Sequence, residues 1–464
     1  MAEIFTRKFS EVSGGRFDPE FYIGQTIQIA TYPLKNFVKI KSGKRIPKGR
    51  SYANTTTTYK YLRVDDLDSE ILEIDIDKLK SIDKDIFTLL ERYEIHNDEV
   101  ALSIAGTIGK VFIFHNTTSN RVILTENCVK LQAQGNLLPK FLSLILKTDF
   151  LQSQMKRQYI QTTIPKLAIE RIKELQIPSI PPLSTQQHII DLMDKAYKAK
   201  KEKENKAKEL LDSIDSYLLE ELGIILPLRS NSTLDSRIYT QKISALSGSR
   251  FDANYHQPYY KKFEQALESG KYKTLRLVDI CQFRRGSFPQ PYGNQEWYGG
   301  ANAMPFVQVA DIDDNFKLKE KTNQQISQLA QPKSVFVSQN TIILSIQGTI
   351  GRVAITQYDC YVDRTIAIFT ELSNLLNQHF LAYMLSILFK NKADTARGIT
   401  LKTITKEEFR NFKIPLPPLT EQERIAKEIS QRKATAKALK QEAKELLESA
   451  KKEVEHIILG VFER

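Results

Sequence analysis

Pro417-Pro418-Leu419-Thr420-Glu421-Gln422-Glu423-Arg424-Ile425 repeats, 236 residues on, the grammar of Pro181-Pro182-Leu183-Ser184-Thr185-Gln186-Gln187-His188-Ile189. Ser184 and Thr420 are of the type that caps a helix N-terminus with a side-chain oxygen. Gln187 and Glu423, three residues further, are spaced to complete a capping box. The prolines ahead bias the chain toward an extended approach, so each helix should start sharply. Behind the second cap, Ile425, Ile429, Ala436, Leu439, Ala443, Leu446, Ala450, Val454 and Ile457 alternate at four and three, broken by Arg432. Such spacing reads as a coiled-coil seam. The first copy shows Ile189, Met193, Ala196, Ala207, Leu210, Ile214 and Tyr217, interrupted by Lys200 and Lys203. Each rod should run roughly 36 residues, or about 55 Å. Antiparallel pairing within the chain hides both seams at once; the rival arrangement packs each helix separately on its own domain.

The repeat extends beyond the rods. Ser13-Gly14-Gly15-Arg16-Phe17-Asp18 returns as Ser247-Gly248-Ser249-Arg250-Phe251-Asp252, each followed by aromatics (Phe21-Tyr22; Tyr255, Tyr259-Tyr260). Residues 61–67, YLRVDDL, answer residues 306–312, FVQVADI, both alternating like strands. Ile104-Ala105-Gly106-Thr107-Ile108-Gly109-Lys110-Val111 matches Ile346-Gln347-Gly348-Thr349-Ile350-Gly351-Arg352-Val353. The offsets are 234, 245, 242 and 236, so order is kept while loop lengths drift. Two similar units follow, each a globular part ending in a rod. Alternating β-branched segments (VALSIAG, KVFIF, TIILSI, RVAIT) mixed with short helices near 139–148 and 377–389 make the globular parts α+β. Gly223 suits the position just past a helix C-terminus, Pro227 blocks continuation, and polar residues 229–237 form a linker.

At 464 residues the chain exceeds one ordinary core, and its 41% apolar and 26% charged composition is that of a globular protein. The formal charge of +12 suits a polyanionic partner without proving one. Cys128, Cys281 and Cys360 are isolated and form no metal-ligand spacing, which reads as a reducing cytosol and no structural metal. The first twelve residues lack the apolar core of a signal peptide, and no apolar run nears the about 18 residues of a membrane span, so a cytoplasmic location is expected.

No Gly-x-Gly-x-x-Gly opens a βαβ unit, no phosphate loop ends in Gly-Lys-Ser/Thr, and the Asn/Asp-Pro-Pro-aromatic tetrapeptide of amino-methyltransferases is absent. The acidic residues between 65 and 77 read as a solvated face more readily than as a metal site. The Gly-Thr-Ile-Gly turns have two readings. One is a hairpin that merely needs its glycines; the other is backbone close to a phosphate, with Lys110 and Arg352 beside it. Residues 44–58 mix Lys44, Arg45, Lys48 and Arg50 with amides and hydroxyls, either a solvated basic loop or a DNA-contacting one. The matching region of the second half carries Arg284 and Arg285, then a glycine-rich loop with Trp297 and Tyr298, where Trp297 belongs either to a core or to an exposed, ligand-stacking loop. Lys402 lies in a polar loop before a short helix, matched in part by the loop at Gln161. A shared scaffold with unlike loops suggests two related sites for two ligands.

These features together resemble the specificity (S) subunits of type I restriction-modification systems. The resemblance rests on the tandem halves, the Gly-Thr-Ile-Gly-Lys/Arg turns and the Ile-Pro…Pro-Pro-Leu…Gln…Ile approach to a long helix, and it covers essentially the whole chain. It implies two tandem target-recognition domains, each followed by a conserved long α-helix, the two helices pairing as an antiparallel coiled coil. Residues 1–183 would be the first recognition domain, 184–223 the central helix, 224–236 the linker, 237–419 the second recognition domain and 420–464 the C-terminal helix. Each domain would read one half of a split, asymmetric sequence on double-stranded DNA, with the helices as a ruler for the spacer. The subunit would be non-catalytic and without a cofactor. It would recruit two modification (methyltransferase) subunits carrying S-adenosylmethionine and restriction subunits with ATP-dependent translocase and nuclease activity. The variable loops, including Lys44, Arg45, Lys48, Arg50, Arg284, Arg285, Trp297, Tyr298 and Lys402, would carry DNA contacts. Rival readings are a DNA-binding or scaffold protein outside restriction-modification, or a fused nuclease or methyltransferase, the last disfavoured because no cofactor motif is present.

Overall fold

The chain forms two compact units, one of residues 1–204 with 440–464 and one of residues 205–439. The computed structural model describes residues 29–67, 74–158, 166–228, 238–246, 253, 255–313, 315–393, 396 and 402–460. The paired motifs at Ser13 and Ser247, the loops at Gln161 and Gly398, the polar linker and part of the acidic run lie outside those residues.

In the first unit the strands are β1 (Thr31–Pro33), β2 (Val38–Ser42), β3 (Tyr59–Leu62), β4 (Lys80–Ser81), β5 (Val100–Ser103), β6 (Val111–Ile113), β7 (Arg121–Leu124), β8 (Cys128–Ala133) and β9 (Gln176–Pro178). They form an antiparallel sheet β2-β8-β5-β6, a sheet β4-β3-β7 and a ribbon β1-β9. Among the described residues of this unit only β3 and β7 run parallel, with Tyr61 opposite Ile123 and Leu62 opposite Leu124. The second unit repeats the plan with β10 (Thr274–Arg276), β11 (Gln282–Arg285), β12 (Met304–Val307), β13 (Gln324–Ile326), β14 (Val335–Val337), β15 (Ile342–Ser345), β16 (Val353–Ile355), β17 (Cys360–Val362), β18 (Ile366–Thr370) and β19 (Lys413–Pro415). Its sheets are β11-β18-β15-β16, β13-β12-β17-β14 and β10-β19. Here β12 and β17 are the parallel pair. The two Ile-Pro dipeptides are thus short strands that close each globular part onto its own beginning.

The alternating segments 61–67 and 306–312 are strands only in their first half. Each then turns into a 3-10 helix, Val64–Asp66 and Val309–Asp311. The cause is local: Asp66 Oδ2 accepts from the Arg63 amide and Asp311 Oδ2 from the Gln308 amide, both at 2.9 Å. A short carboxylate satisfies the backbone donor, and the turn wins over the ladder.

The long helices span Leu183–Glu221 and Leu419–Leu459, and each contributes to both units. In the first unit Ile189, Met193 and Ala196 share a core with Leu447, Ala450 and Val454. In the second, Leu218 and Leu222 meet Ile425 and Ile429. The start of one helix therefore packs on the end of the other, an antiparallel pair. Polar contacts follow the seam, with Lys203 Nζ 2.6 Å from Glu442 and Arg432 donating to Ser213 Oγ at 2.9 Å. Arg432 also lies over the Tyr217 ring at 4.3 Å, which accommodates the cation that breaks the pattern of the second helix. The buried positions include Leu218, Leu447 and Ile458, where the heptad spacing favoured Tyr217, Leu446 and Ile457, all three half-buried. Each helix packs against its globular part as well as its partner, so its apolar stripe is wider than a two-position seam.

The expected caps are displaced. Pro182 O accepts from the Thr185 and Gln186 amides, and Pro418 O from those of Glu421 and Gln422, so Ser184 and Thr420 sit inside the first turn. The work expected of Gln187 and Glu423 falls to their neighbours. Gln186 is fully buried; it accepts from the Leu138 amide at 2.9 Å and donates to Asn136 O and Pro181 O, both at 2.8 Å. Gln422 repeats this with the Asn377 amide, Leu375 O and Pro417 O. One amide side chain thereby locks each helix start to its domain. At the other end Gly223, φ +64°, lets the Ile224 amide reach Leu219 O and its own amide reach Glu220 O, a Schellman closure as the sequence predicts.

Candidate nucleic-acid interface

The basic loop of the first unit leaves β2 at Gly43, where the backbone passes against the end of β7. A Cβ built on Gly43 would lie 2.0 Å from Thr125 O. The Gly43 and Lys44 amides donate to Cys128 O and Leu124 O at 3.0 and 2.9 Å, so the loop starts from a fixed point. Arg45 Nε then lies 2.5 Å from Glu126 Oε1, an arginine and an acid brought together from 81 residues apart. Burial pushes the Glu126 carboxyl up; the Arg45 guanidinium and hydrogen bonds from the Thr125 hydroxyl and the backbone outweigh it and hold the group below the usual carboxylate range. Around this pair is a cleft of about 370 Å³ lined by Arg45, Tyr52, Tyr61, Arg63, Asp65 and Asn127 among others. Arg63 closes one side through a two-pronged contact with Asp66 at 2.7 and 3.0 Å. Arg50 is paired with Asp85 on the surface. Lys44 and Lys48 are exposed, with no ion-pair partner among the described residues.

The Gly-Thr-Ile-Gly turns connect the hairpins β5-β6 and β15-β16. Positive φ at Gly106 (+74°) and Gly109 (+90°), and at Gly348 (+75°) and Gly351 (+95°), is what the glycines supply. Inside each turn a fully buried serine bridges the strands: Ser103 Oγ donates to Thr107 O and accepts from the Lys110 amide, as Ser345 does with Thr349 and Arg352. The cation that follows does not project as a phosphate contact. Lys110 Nζ donates to Val64 O at 3.1 Å, and Arg352 Nη1 donates to Ile312 O at 3.2 Å. Each ties the hairpin to the carbonyls of the 3-10 turn beside the cleft position. Replacing Lys110 or Arg352 by Met should therefore cost about 1–3 kcal/mol of stability, since charged hydrogen bonds are lost. The salt dependence of DNA binding should stay the same, because a phosphate contact would remove about 0.9 from its slope. A slope lowered by that amount with an unchanged melting point would reverse the assignment.

In the second unit Gly286 takes the place of Gly43, its built Cβ lying 2.2 Å from Val362 O. Arg284 donates to Phe336 O at 3.1 Å, and Arg285 to Arg364 O at 3.1 Å and Gln347 Oε1 at 3.3 Å; both remain exposed. Trp297 is not a stacking platform. It is 8% exposed, shares a small core with Phe288, Phe306 and Ile326, and donates from Nε1 to Pro291 O at 3.2 Å. Its polar neighbours misled because the burial comes from residues distant in sequence. Tyr298 is half-buried and stacks on Phe288 at 5.2 Å. Lys402 is exposed, and its carbonyl accepts from the Gly348 amide at 3.0 Å. Sequence reasoning passed over Glu126 and Arg364, which the backbone register places at one equivalent position, and Gly43 and Gly286. Their shared offsets of 238 and 243, inside the range of the other motifs, were the available signal.

The three cysteines are buried free thiols pushed up to about 12 by burial. Among the described residues no group of three or more His, Cys, Asp or Glu could hold a metal ion, and no helix is long and apolar enough to cross a membrane.

Two tandem scaffolds with unlike loops and one antiparallel pair of long helices make this a duplicated α+β protein by class. The profile of the type I restriction modification DNA specificity domain matches residues 27–212 and again 269–449, and the chain belongs to that family, the non-catalytic DNA-recognition component of type I systems. A putative type I restriction enzyme MjaX specificity subunit from Methanocaldococcus jannaschii is 22% identical over 401 residues, covering 83% of each chain. The EcoBI specificity subunit of Escherichia coli is 24% identical over 168 residues, 35% of each chain. A solved chain from a study of assembly and conformational transition of the type I R-M system superposes with a TM-score of 0.54 at 17% identity, over 93% of this chain and 96% of that one.

Proposed function

We propose that this chain selects a bipartite, asymmetric DNA target, each globular part reading one half-site and the paired helices setting the spacer between them. The observation that carries this reading is the pair of scaffolds that share one sheet plan, apart from the extra strand β14, and carry unmatched loops, Lys44-Arg45 at one position and Ser287-Phe288 at its equivalent. The net charge of +12 supplies the salt-dependent phosphate affinity such a role needs. In this reading the chain binds no cofactor. It recruits two modification subunits that carry S-adenosylmethionine, and restriction subunits that use ATP, in the cytoplasm. The exposed Lys44 and Lys48 contribute to phosphates, while Arg45, Arg50, Arg284, Arg285 and Lys402 lie on the DNA side of their loops.

The test is a matched insertion. One heptad is added to the first helix between Lys203 and Ser213 and one to the second between Arg432 and Glu442, segments that the two polar contacts place side by side. The insertion adds about 10 Å and should lengthen the spacer by about three base pairs, with both half-sites unchanged. Genome-wide methylation mapping in cells carrying the normal or the lengthened chain reads this directly. A folded, active variant with an unchanged spacer refutes the ruler, and methylation independent of the gene refutes the function.

A further inference from the structure

We propose that each unit reads a guanine with one buttressed arginine, Arg45 held by Glu126 in the first and Arg364 held against Tyr292 in the second. This rests on the DNA-selecting role proposed above and names the residues and base that carry it.

The two positions are equivalent by backbone. Gly43 and Lys44 donate to Cys128 O and Leu124 O, as Gly286 and Ser287 donate to Ile366 O and Val362 O. Arg45 therefore corresponds to Phe288. Glu126, two residues past Leu124, corresponds to Arg364, two residues past Val362. In the first unit the loop brings the guanidinium and the strand end brings its support. The second unit reverses the roles: the strand end brings the guanidinium, and the loop brings aromatic rings.

The supports are specific. Glu126 takes Arg45 through Nε alone, and its other oxygen accepts from the Thr125 hydroxyl at 3.1 Å. The Arg45 side chain is 78% exposed, and its two terminal nitrogens have no hydrogen-bond partner among the described residues. Arg364 is exposed, with its Cζ 5.0 Å from the Tyr292 ring centroid. That ring is fixed twice, by its hydroxyl on buried Asp363 and by Phe288 at 5.0 Å. Each arginine thus keeps a free planar fork on a stem already restrained. Guanine is the base whose major-groove edge offers two adjacent acceptors, O6 and N7, to such a fork. Restraint before binding lowers the ordering cost that a long side chain otherwise incurs. Arg50 has no such role, since Asp85 takes Nη1, one of the two terminal nitrogens of its fork, whereas Glu126 leaves both of those of Arg45 open.

The test selects binders from a pool of random DNA duplexes with the full chain in complex with its modification subunits. Wild type should enrich two blocks, each holding a guanine. Arg45→Lys keeps the charge and loses the fork; it should flatten one guanine column in one block about tenfold, with the salt slope and melting point unchanged. Arg364→Lys should do the same in the other block. Glu126→Ala should weaken the same column as Arg45→Lys, and the double variant should be no worse than Arg45→Lys alone, the signature of a positioning residue acting through Arg45. Lysine variants that leave every column intact, or that lower all columns evenly, overturn the inference while leaving the DNA-selecting role standing. A wild-type complex that enriches no sequence overturns both.

Discussion

Gly43→Ala is expected to lower the melting point of the first unit by about 6–12 °C, from a loss of about 3 kcal/mol, and to abolish selection of the half-site proposed for that unit. The added methyl would sit 2.0 Å from Thr125 O and 2.5 Å from Leu124 O, both backbone atoms of a buried strand end. A side chain in the way could rotate aside; a carbonyl in a ladder cannot. The loop must lift, breaking the amide bonds of Gly43 and Lys44 and carrying Arg45 off Glu126. Gly286→Ala should act likewise on the second half-site, its methyl meeting Val362 O at 2.2 Å and Asp363 O at 2.3 Å. Gly49 is the control. It has nothing within 4 Å and only its φ of +84° to defend, so alanine there should cost about 1 kcal/mol. Calorimetry of the three variants, with binding to DNA randomised in one half-site at a time, measures this. A Gly43→Ala protein that melts and binds like Gly49→Ala would show that the close approach is not kept in solution.

Gln186→Leu should cost about 3 kcal/mol, and Gln187→Leu almost nothing. The two glutamines are adjacent, and a capping box would give the second the greater weight. Burial reverses that order. Leucine at 186 keeps the volume but leaves the Leu138 amide and the Asn136 and Pro181 carbonyls without their partner. Buried groups left unpaired cost about 1–3 kcal/mol each, relieved in part where water can enter. Gln187 is exposed and among the described residues bonds only Asp191, one turn on, a contact worth about 0.2–0.5 kcal/mol. In the second unit Gln422→Leu and Glu423→Leu should divide the same way, because Gln422 bonds the Asn377 amide and the Leu375 and Pro417 carbonyls. Denaturant midpoints of the four variants decide it. Equal losses at 186 and 187 would restore the capping box.

Much of the scaffold was legible because its signals are local and periodic. The hairpins at Val100 and Ile342 follow from alternating β-branched residues around paired glycines, and the rods from apolar residues at three and four. The chain repeats these patterns, so each copy corroborated the other. Where a side chain with local reach competed with the ladder, as Asp66 and Asp311 do, alternation alone extended the strands too far.

The candidate site was legible only as a set of cations. Nothing in the order of residues 44–50 separates Arg45 from Arg50. One faces Glu126 across a chain reversal, and the other faces Asp85. Lys110 and Arg352 stood out because the motif repeats, yet they repeat for a structural reason, each bonding carbonyls of a turn some 40 residues earlier or more. Trp297 looked exposed among glycines and amides, but Phe306 and Ile326 arrive from other strands to bury it.

The sequence by itself determined the two-fold plan, the α+β character and the two long helices, because backbone propensity and hydrophobic period act over a few residues. Tertiary structure decided which charges are free, which are anchored and which glycines cannot carry a methyl. Those outcomes depend on strands β3 and β7, parallel and some 60 residues apart, and on their counterparts β12 and β17. A parallel pair has no tight turn to announce its register, so the meeting of Arg45 with Glu126, and the placing of Arg364 at the same point, exist only once the chain has crossed over and packed.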